Sequence, residues 1–192
     1  MAWDVDLAHS SLEFAVRHMV VSTVKGAFSD FTVEPNIDGD DFTRATGTVK
    51  VNVASIDTRE PRRDTHLRSA DFFDVERFPT MTYAAKSVEG DGDGRYRIIG
   101  DLTIRDVTRE VPLTAEVSGP VTDPFGLVRI GVSAQGKISR HDFGLDWNVV
   151  TEAGGILVGD DVKISAEAEF TQVQIATETS KEDAALEATT AS

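Results

Sequence analysis

Val162–Phe170 reads VKISAEAEF, and it alternates without a break: Val162, Ile164, Ala166, Ala168 and Phe170 against Lys163, Ser165, Glu167 and Glu169. Period two places one set on a buried face and the other in water, the signature of a strand with one apolar side. The same pattern recurs upstream. Leu12, Phe14 and Val16 alternate with Glu13, Ala15 and Arg17, and Val49, Val51 and Val53 with Thr48, Lys50 and Asn52. Val111, Leu113, Ala115 and Val117 form a further row, as do Val128, Ile130, Val132 and Ala134. Turn-forming clusters separate these runs: Asp38-Gly39-Asp40-Asp41, Gly90-Asp91-Gly92-Asp93-Gly94 and Asp123-Pro124-Phe125-Gly126.

About eight one-faced strands joined by short turns predict an all-β fold, either an antiparallel sheet that closes on itself or a sandwich. Several core-facing positions are small: Ala115, Ala134, Ala166 and Ala168, with Gly26, Gly47, Gly100 and Gly131 inside strand patterns. Small inward side chains leave room, and a barrel of about eight strands is wide enough for one small ligand. Glycines in such strands mark bends and bulges. A filled sandwich core with ordinary bulges is the alternative from pattern alone.

One segment breaks the alternation. REPRRDTHLRSA, residues 59–70, reads as a short helix, with Thr58 able to cap it and Pro61 suited to its first turn. A turn at Asp71-Phe72-Phe73-Asp74 then leads to Pro79. Residues 176–192, ATETSKEDAALEATTAS, hold one large apolar residue, Leu186, and are expected to be a disordered acidic tail behind a single domain of residues 1–175.

The chain of 192 residues carries 33 Asp and Glu against 19 Lys and Arg, a net charge of -14. That balance opposes non-specific nucleic-acid binding and adsorption to an anionic membrane surface. With no cysteine, disulfides, thiol catalysis and thiolate metal sites are excluded. No run of about eighteen apolar residues exists to form a membrane-spanning helix. The opening MAWDVDLAHSS lacks a basic segment followed by an apolar one, so a cytoplasmic location is expected. A chain trimmed of a leader would read the same way.

Motifs for catalysis and metal binding are weak. His9, His18, His66 and His141 fall in no HExxH or HxH arrangement, and no metal site is expected. Asn36, Asp38 and Asp40 begin like a calcium loop, but Asp41 and Gly47 stand where the loop needs glycine and glutamate. The glycines at 90, 92 and 94 precede a strand rather than a helix, so they mark a hairpin. No serine lies in a GxSxG elbow. Asp64 with His66, or Asp142 with His141, could form half of a catalytic pair, without a nucleophile or oxyanion donors.

Several stretches, in order, resemble the YceI-like family of lipid-binding barrels. They are Trp3-Asp4-Val5-Asp6 with His9-Ser10, then Phe14-Ala15-Val16-Arg17-His18-Met19, then Val24-Lys25-Gly26 with Phe28. Arg63-Asp64-Thr65-His66-Leu67-Arg68-Ser69 leads into Asp71-Phe72-Phe73 and Phe78-Pro79. Gly100-Asp101-Leu102-Thr103-Ile104-Arg105 precedes Val107-Thr108; Ser139-Arg140, Asp142-Phe143-Gly144-Leu145, Trp147 and Val158-Gly159-Asp160-Asp161-Val162 follow. The resemblance covers roughly residues 3–173. Asp106 stands where many relatives have glycine, which is read as a turn change of little consequence.

The resemblance implies an extended, lipocalin-like antiparallel barrel with a helix at one end and a tendency to form homodimers. It implies a long amphipathic ligand, a polyisoprenoid, isoprenoid quinone or fatty-acid derivative, held for carriage or storage, with a stress-related role included. No enzymatic activity and no cofactor beyond that lipid are expected. The expected pocket residues are Phe14, Val16, Phe28, Phe31, Leu67, Phe72, Phe73, Met81, Ile104, Phe143 and Trp147. His18, His66 and Arg68 are expected at a polar mouth, and the segment around Leu67, Phe72 and Phe73 as the lid. Two other readings stay open: an interaction or structural module with a filled core, and an enzyme using His66 or His141 as base.

Overall fold

The structure is a computed structural model that describes residues 2–19, 21–37, 41–90, 93–149 and 157–173. The expected acidic tail lies outside these residues. Among the described residues ten strands form one sheet: β1 (Ala2–His18), β2 (Ser22–Phe28), β3 (Phe31–Asn36), β4 (Thr46–Asn52), β5 (Ile56–Asp57), β6 (Thr80–Gly90), β7 (Arg95–Ile104), β8 (Val107–Thr122), β9 (Val128–Ser139) and β10 (Val158–Val173). The helix α1 (Pro61–Arg68) sits between β5 and β6. The count exceeds the expected eight partly because β5 has two residues, too few to show an alternation. Among the described residues no helix is long and apolar enough to cross a membrane.

The sheet order is β3-β4-β6-β7-β8-β9-β10-β1-β2-β5, with every neighbouring pair antiparallel. This order forces the sheet to curl. β4 and β5 stand eight places apart, which in a flat sheet is about 38 Å at ~4.8 Å per strand. Yet only the single turn Val53–Ser55 joins them, a reach of roughly 14 Å. The β2–β3 connection makes the same leap. Where the two connections meet, the Asn52 amide donates to the Asp30 carbonyl (2.9 Å) and the Asn52 side chain to the Asp30 carboxylate (2.8 Å).

The dense core lies at the α1 end of the curled sheet. Ile56, Val53 and Phe143 are almost wholly buried there, with Phe28, Leu102, Ile104, Val111, Ile138 and Leu145 around them. Glycine is required in two strands at close approaches. Phe14 lies across its cross-strand partner Gly26, where a Cβ would come within 2.4 Å of the ring. At Gly100 a Cβ would meet the Ala84 carbonyl at 2.6 Å and the Tyr83 ring at 2.6 Å.

The helix is shorter than expected and is capped differently. Glu60, not Thr58, is the cap: its carboxylate accepts from the amides of Arg62 (3.2 Å) and Arg63 (2.6 Å). Thr58 instead donates twice to the buried Asp64 carboxylate, from its amide (2.9 Å) and its hydroxyl (2.5 Å). Its own oxygens accept from Arg63 at 2.7 and 2.8 Å. Arg68 donates to the carbonyls of Ala54 (2.8 Å) and Ile56 (2.7 Å). These charged bonds fix α1 across the end of the sheet.

Candidate functional site

The inner face of the sheet encloses a cavity of about 350 Å³. The alternating rows supply its walls: Leu12, Phe14 and Val16 on β1, Val49 and Val51 on β4, and Val111, Leu113, Ala115 and Val117 on β8. Ile130, Val132 and Ala134 on β9 and the whole apolar row of β10 complete that side. Ala115, Ala134 and Ala166 are direct register partners on β8, β9 and β10 and form a belt across the wall. This belt of small side chains is why the strands enclose space rather than meeting in a filled core.

The cavity is apolar almost throughout. Tyr83 reaches it, but its hydroxyl donates to the backbone carbonyl of Val111 (3.0 Å). Burial, with Asp101 and Glu110 nearby, pushes the phenol up to about 12, so it stays protonated and keeps that donor role at neutral pH. Arg140, only 3% exposed, also reaches the wall. Its guanidinium donates to the carbonyls of Leu145, Trp147 (3.1 Å), Gly159 (3.1 Å) and Val158 (3.4 Å) and to the Asp160 carboxylate (3.4 Å). With its donors so engaged, Arg140 clamps the closed end together and offers nothing to a ligand.

Of the expected pocket residues, Phe14, Val16, Phe28, Phe31, Leu67, Phe72, Phe73, Met81 and Ile104 line the cavity. Phe28 meets Phe73 edge-on at 6.1 Å, joining wall to lid. Two expected apolar residues stand elsewhere. Phe143 is 1% exposed and belongs to the packed core at the α1 end rather than to the cavity surface. Trp147 packs outside the wall, its ring 4.5 Å from His66 and 5.3 Å from Phe72, and so backs the lid.

The expected polar mouth is not assembled. Arg68 is used by two carbonyls, His66 is bonded to Asp71 (2.8 Å) between the rings of Phe72 and Trp147, and His18 ends β1 opposite Ser22 and Val158. None of the three lines the cavity. The Asp64–His66 pair is not formed either, because Asp64 is bonded to Thr58. His141 lies between Asp146 (2.6 Å) and Asp160 (2.8 Å), which in that order raise its pKa. Among the described lining residues there is no histidine.

Sequence reasoning missed Tyr83, Arg140, Leu145 and the far-end residues Ile37, Phe42, Val88 and Tyr96. The β6–β7 rows were legible as TMTYAA and YRIIGDLTI, but a register shift between Ala85 and Ser87 breaks the period. Arg140 stood in a family-like stretch, but nothing marked it as buried, since arginine is ordinarily exposed. On the outer face, ligand atoms of Asp6, His9 and Glu169 lie within 4.8 Å of one another. Arg129 already supplies positive charge there, bonded to Asp6 (3.0 Å), Asp123 (2.8 Å) and Glu169.

Comparison with known proteins places this geometry. The family model of the YceI-like domain matches residues 3–170. A UPF0312 protein of Staphylococcus aureus (strain MSSA476) is 40% identical over 166 residues, covering 86% of this chain and 94% of that protein. The crystal structure of the Campylobacter jejuni YCEI protein is similar at a TM-score of 0.70 and 30% identity, over 82% of this chain and 90% of that one. A polyisoprenoid binding domain from Saccharophagus degradans, implicated in plant cell wall breakdown, shares the fold at a TM-score of 0.68 and 14% identity, over 90% of this chain and 99% of that one.

Proposed function

The chain belongs to the YceI-like family, and on that premise we propose that its cavity holds the hydrocarbon part of a long amphipathic lipid for carriage or storage. The observation that carries this reading is the cavity itself: about 350 Å³ with an almost wholly apolar surface, and with two of its polar lining residues, Tyr83 and Arg140, engaged by the backbone. Magnitudes favour a long ligand. Each buried methylene contributes roughly 0.8 kcal/mol, against roughly 4–15 kcal/mol of lost freedom on association. Four or five methylenes leave nothing over, whereas the roughly twelve that about 350 Å³ can hold at ~30 Å³ each contribute about 10 kcal/mol, well above the lower part of that cost.

Such a cavity selects by chain length and shape, and the head group remains at its rim. The structural likeness to a polyisoprenoid binding domain makes polyisoprenoids and isoprenoid quinones the first compounds to test, with fatty-acid derivatives next. Binding rather than catalysis is supported by where the two histidines considered as bases stand: neither lines the cavity.

The test is organic extraction of the purified protein followed by mass spectrometry against a mock purification. A stoichiometric lipid is expected. Absence of an enriched lipid, together with no uptake of added quinone, polyprenyl phosphate or fatty acid, would refute the reading.

A further inference from the structure

The strands on one side of the sheet run past their neighbours at the end away from α1. β7 begins at Arg95, opposite Glu116, but β8 continues to Thr122. β9 and β10 follow it out, with Thr171 opposite Arg129. The β8–β9 hairpin therefore projects beyond the β6–β7 hairpin as a raised lip. Its tip is apolar and open to solvent: Phe125 is 88% exposed, Val121 64% and Leu127 42%. Val173, two residues beyond Thr171 and so level with Leu127, is also exposed.

This tip is built rather than loose. The Asp123 carboxylate accepts from the amides of Phe125 (2.9 Å) and Leu127 (2.9 Å) and from Arg129 (2.8 Å). The Asp123 amide donates to the Leu127 carbonyl (2.9 Å) and the Gly126 amide to the Asp123 carbonyl (3.0 Å). Pro124 has no amide hydrogen. Every backbone donor from Asp123 to Leu127 is thus satisfied within the hairpin, which lowers the cost of moving this backbone from water into the interfacial layer. The single charge in Val121–Val128 is Asp123, and it is paired with Arg129.

We propose that the β8–β9 hairpin tip inserts into the interfacial layer of an electrically neutral lipid bilayer and seats that end of the sheet on it. A second copy of the chain fits the same tip poorly. One convex hairpin offers far less than the roughly 800 Å² per partner of a stable interface, and a net charge of -14 sets copies against each other. An anionic surface is disfavoured as well, because Arg129 is surrounded by Asp6, Asp123 and Glu169 and the tip carries no other cation. The inference gives the proposed carrier a route to its cargo and rests on that reading for its purpose alone.

The experiment is co-sedimentation of the full, lipid-stripped chain with phosphatidylcholine vesicles, and with vesicles in which about a third of the lipid is phosphatidylglycerol. Partitioning is expected into the former, insensitive to salt, and weaker into the latter. F125S should lower it about tenfold or more, since a phenyl ring leaves the acyl boundary. V21S is the control: Val21 is 82% exposed in the β1–β2 turn at the opposite end, and its loss should change nothing. No partitioning, equal losses in the two variants, or an F125S effect confined to dissociating a dimer in light scattering would each overturn the proposal. Lipid extraction reads the cavity separately, so failure of the carrier reading and failure of the docking surface are distinguishable.

Discussion

Replacing Ala134 by leucine should separate ligand binding from stability. Ala134 lies in the middle of the alanine belt, with Ala115 and Ala166 as its register partners, and its side chain faces the cavity. Leucine adds three carbons. At ~30 Å³ for each, the share of one water in the liquid, they take about 90 Å³ of a cavity of about 350 Å³. They displace about three methylenes of ligand, worth about 2.4 kcal/mol at ~0.8 kcal/mol each, or about 60-fold in affinity. The added carbons enter empty space rather than a packed core, so the melting temperature should hold or rise. The assay is titration with a fluorescent long-chain acyl probe alongside thermal unfolding by circular dichroism. Affinity within about threefold of the parent, in a folded variant, would show that the belt does not face the ligand. A collapse in melting temperature would show that the space beside Ala134 was already filled.

The lid should divide into a structural and a functional phenylalanine. Phe72 is buried against His66 and Trp147, so F72A should cost about 3 kcal/mol in denaturant unfolding; F73A, half-buried at the cavity, should cost less and release bound lipid faster. R140M leaves several closed-end carbonyls without a donor, and a melting temperature lower by on the order of 10 °C is expected. G100A must push the new Cβ into the Ala84 carbonyl, at about 1–3 kcal/mol of stability read by urea titration. The raised pKa of His141 gives stability that is complete below its unfolded-state value of about 6.5 and is lost as pH rises through the folded-state value. Unfolding followed upward from about pH 5.5 should therefore show a shallower decline in H141Q than in the parent. Some slope should remain, because Asp6 raises His9 in the same way.

Local periodicity carried most of the fold. The rows at Leu12–Val16, Val111–Val117 and Val162–Phe170 each face the cavity, because an extended backbone sends alternate side chains to opposite faces whatever its partners are. Pro61 and the charged run after it marked the helix, for reasons equally local. What lies between the rows is not local. Whether alanines at 115, 134 and 166 enclose space or close on one another depends on strands far apart in sequence being brought into register. Three side-chain fates were likewise invisible from their own neighbourhoods. Arg140 is buried because carbonyls from two distant segments converge on it, Trp147 lies outside because the lid needs backing, and Arg68 faces carbonyls because a short turn carries β4 across to β5. The sequence by itself determined which faces of the strands are apolar, since that follows from chain geometry residue by residue. Only the tertiary structure decided that those faces surround a cavity and which charges are consumed in holding it shut, because closure and burial are properties of the whole sheet.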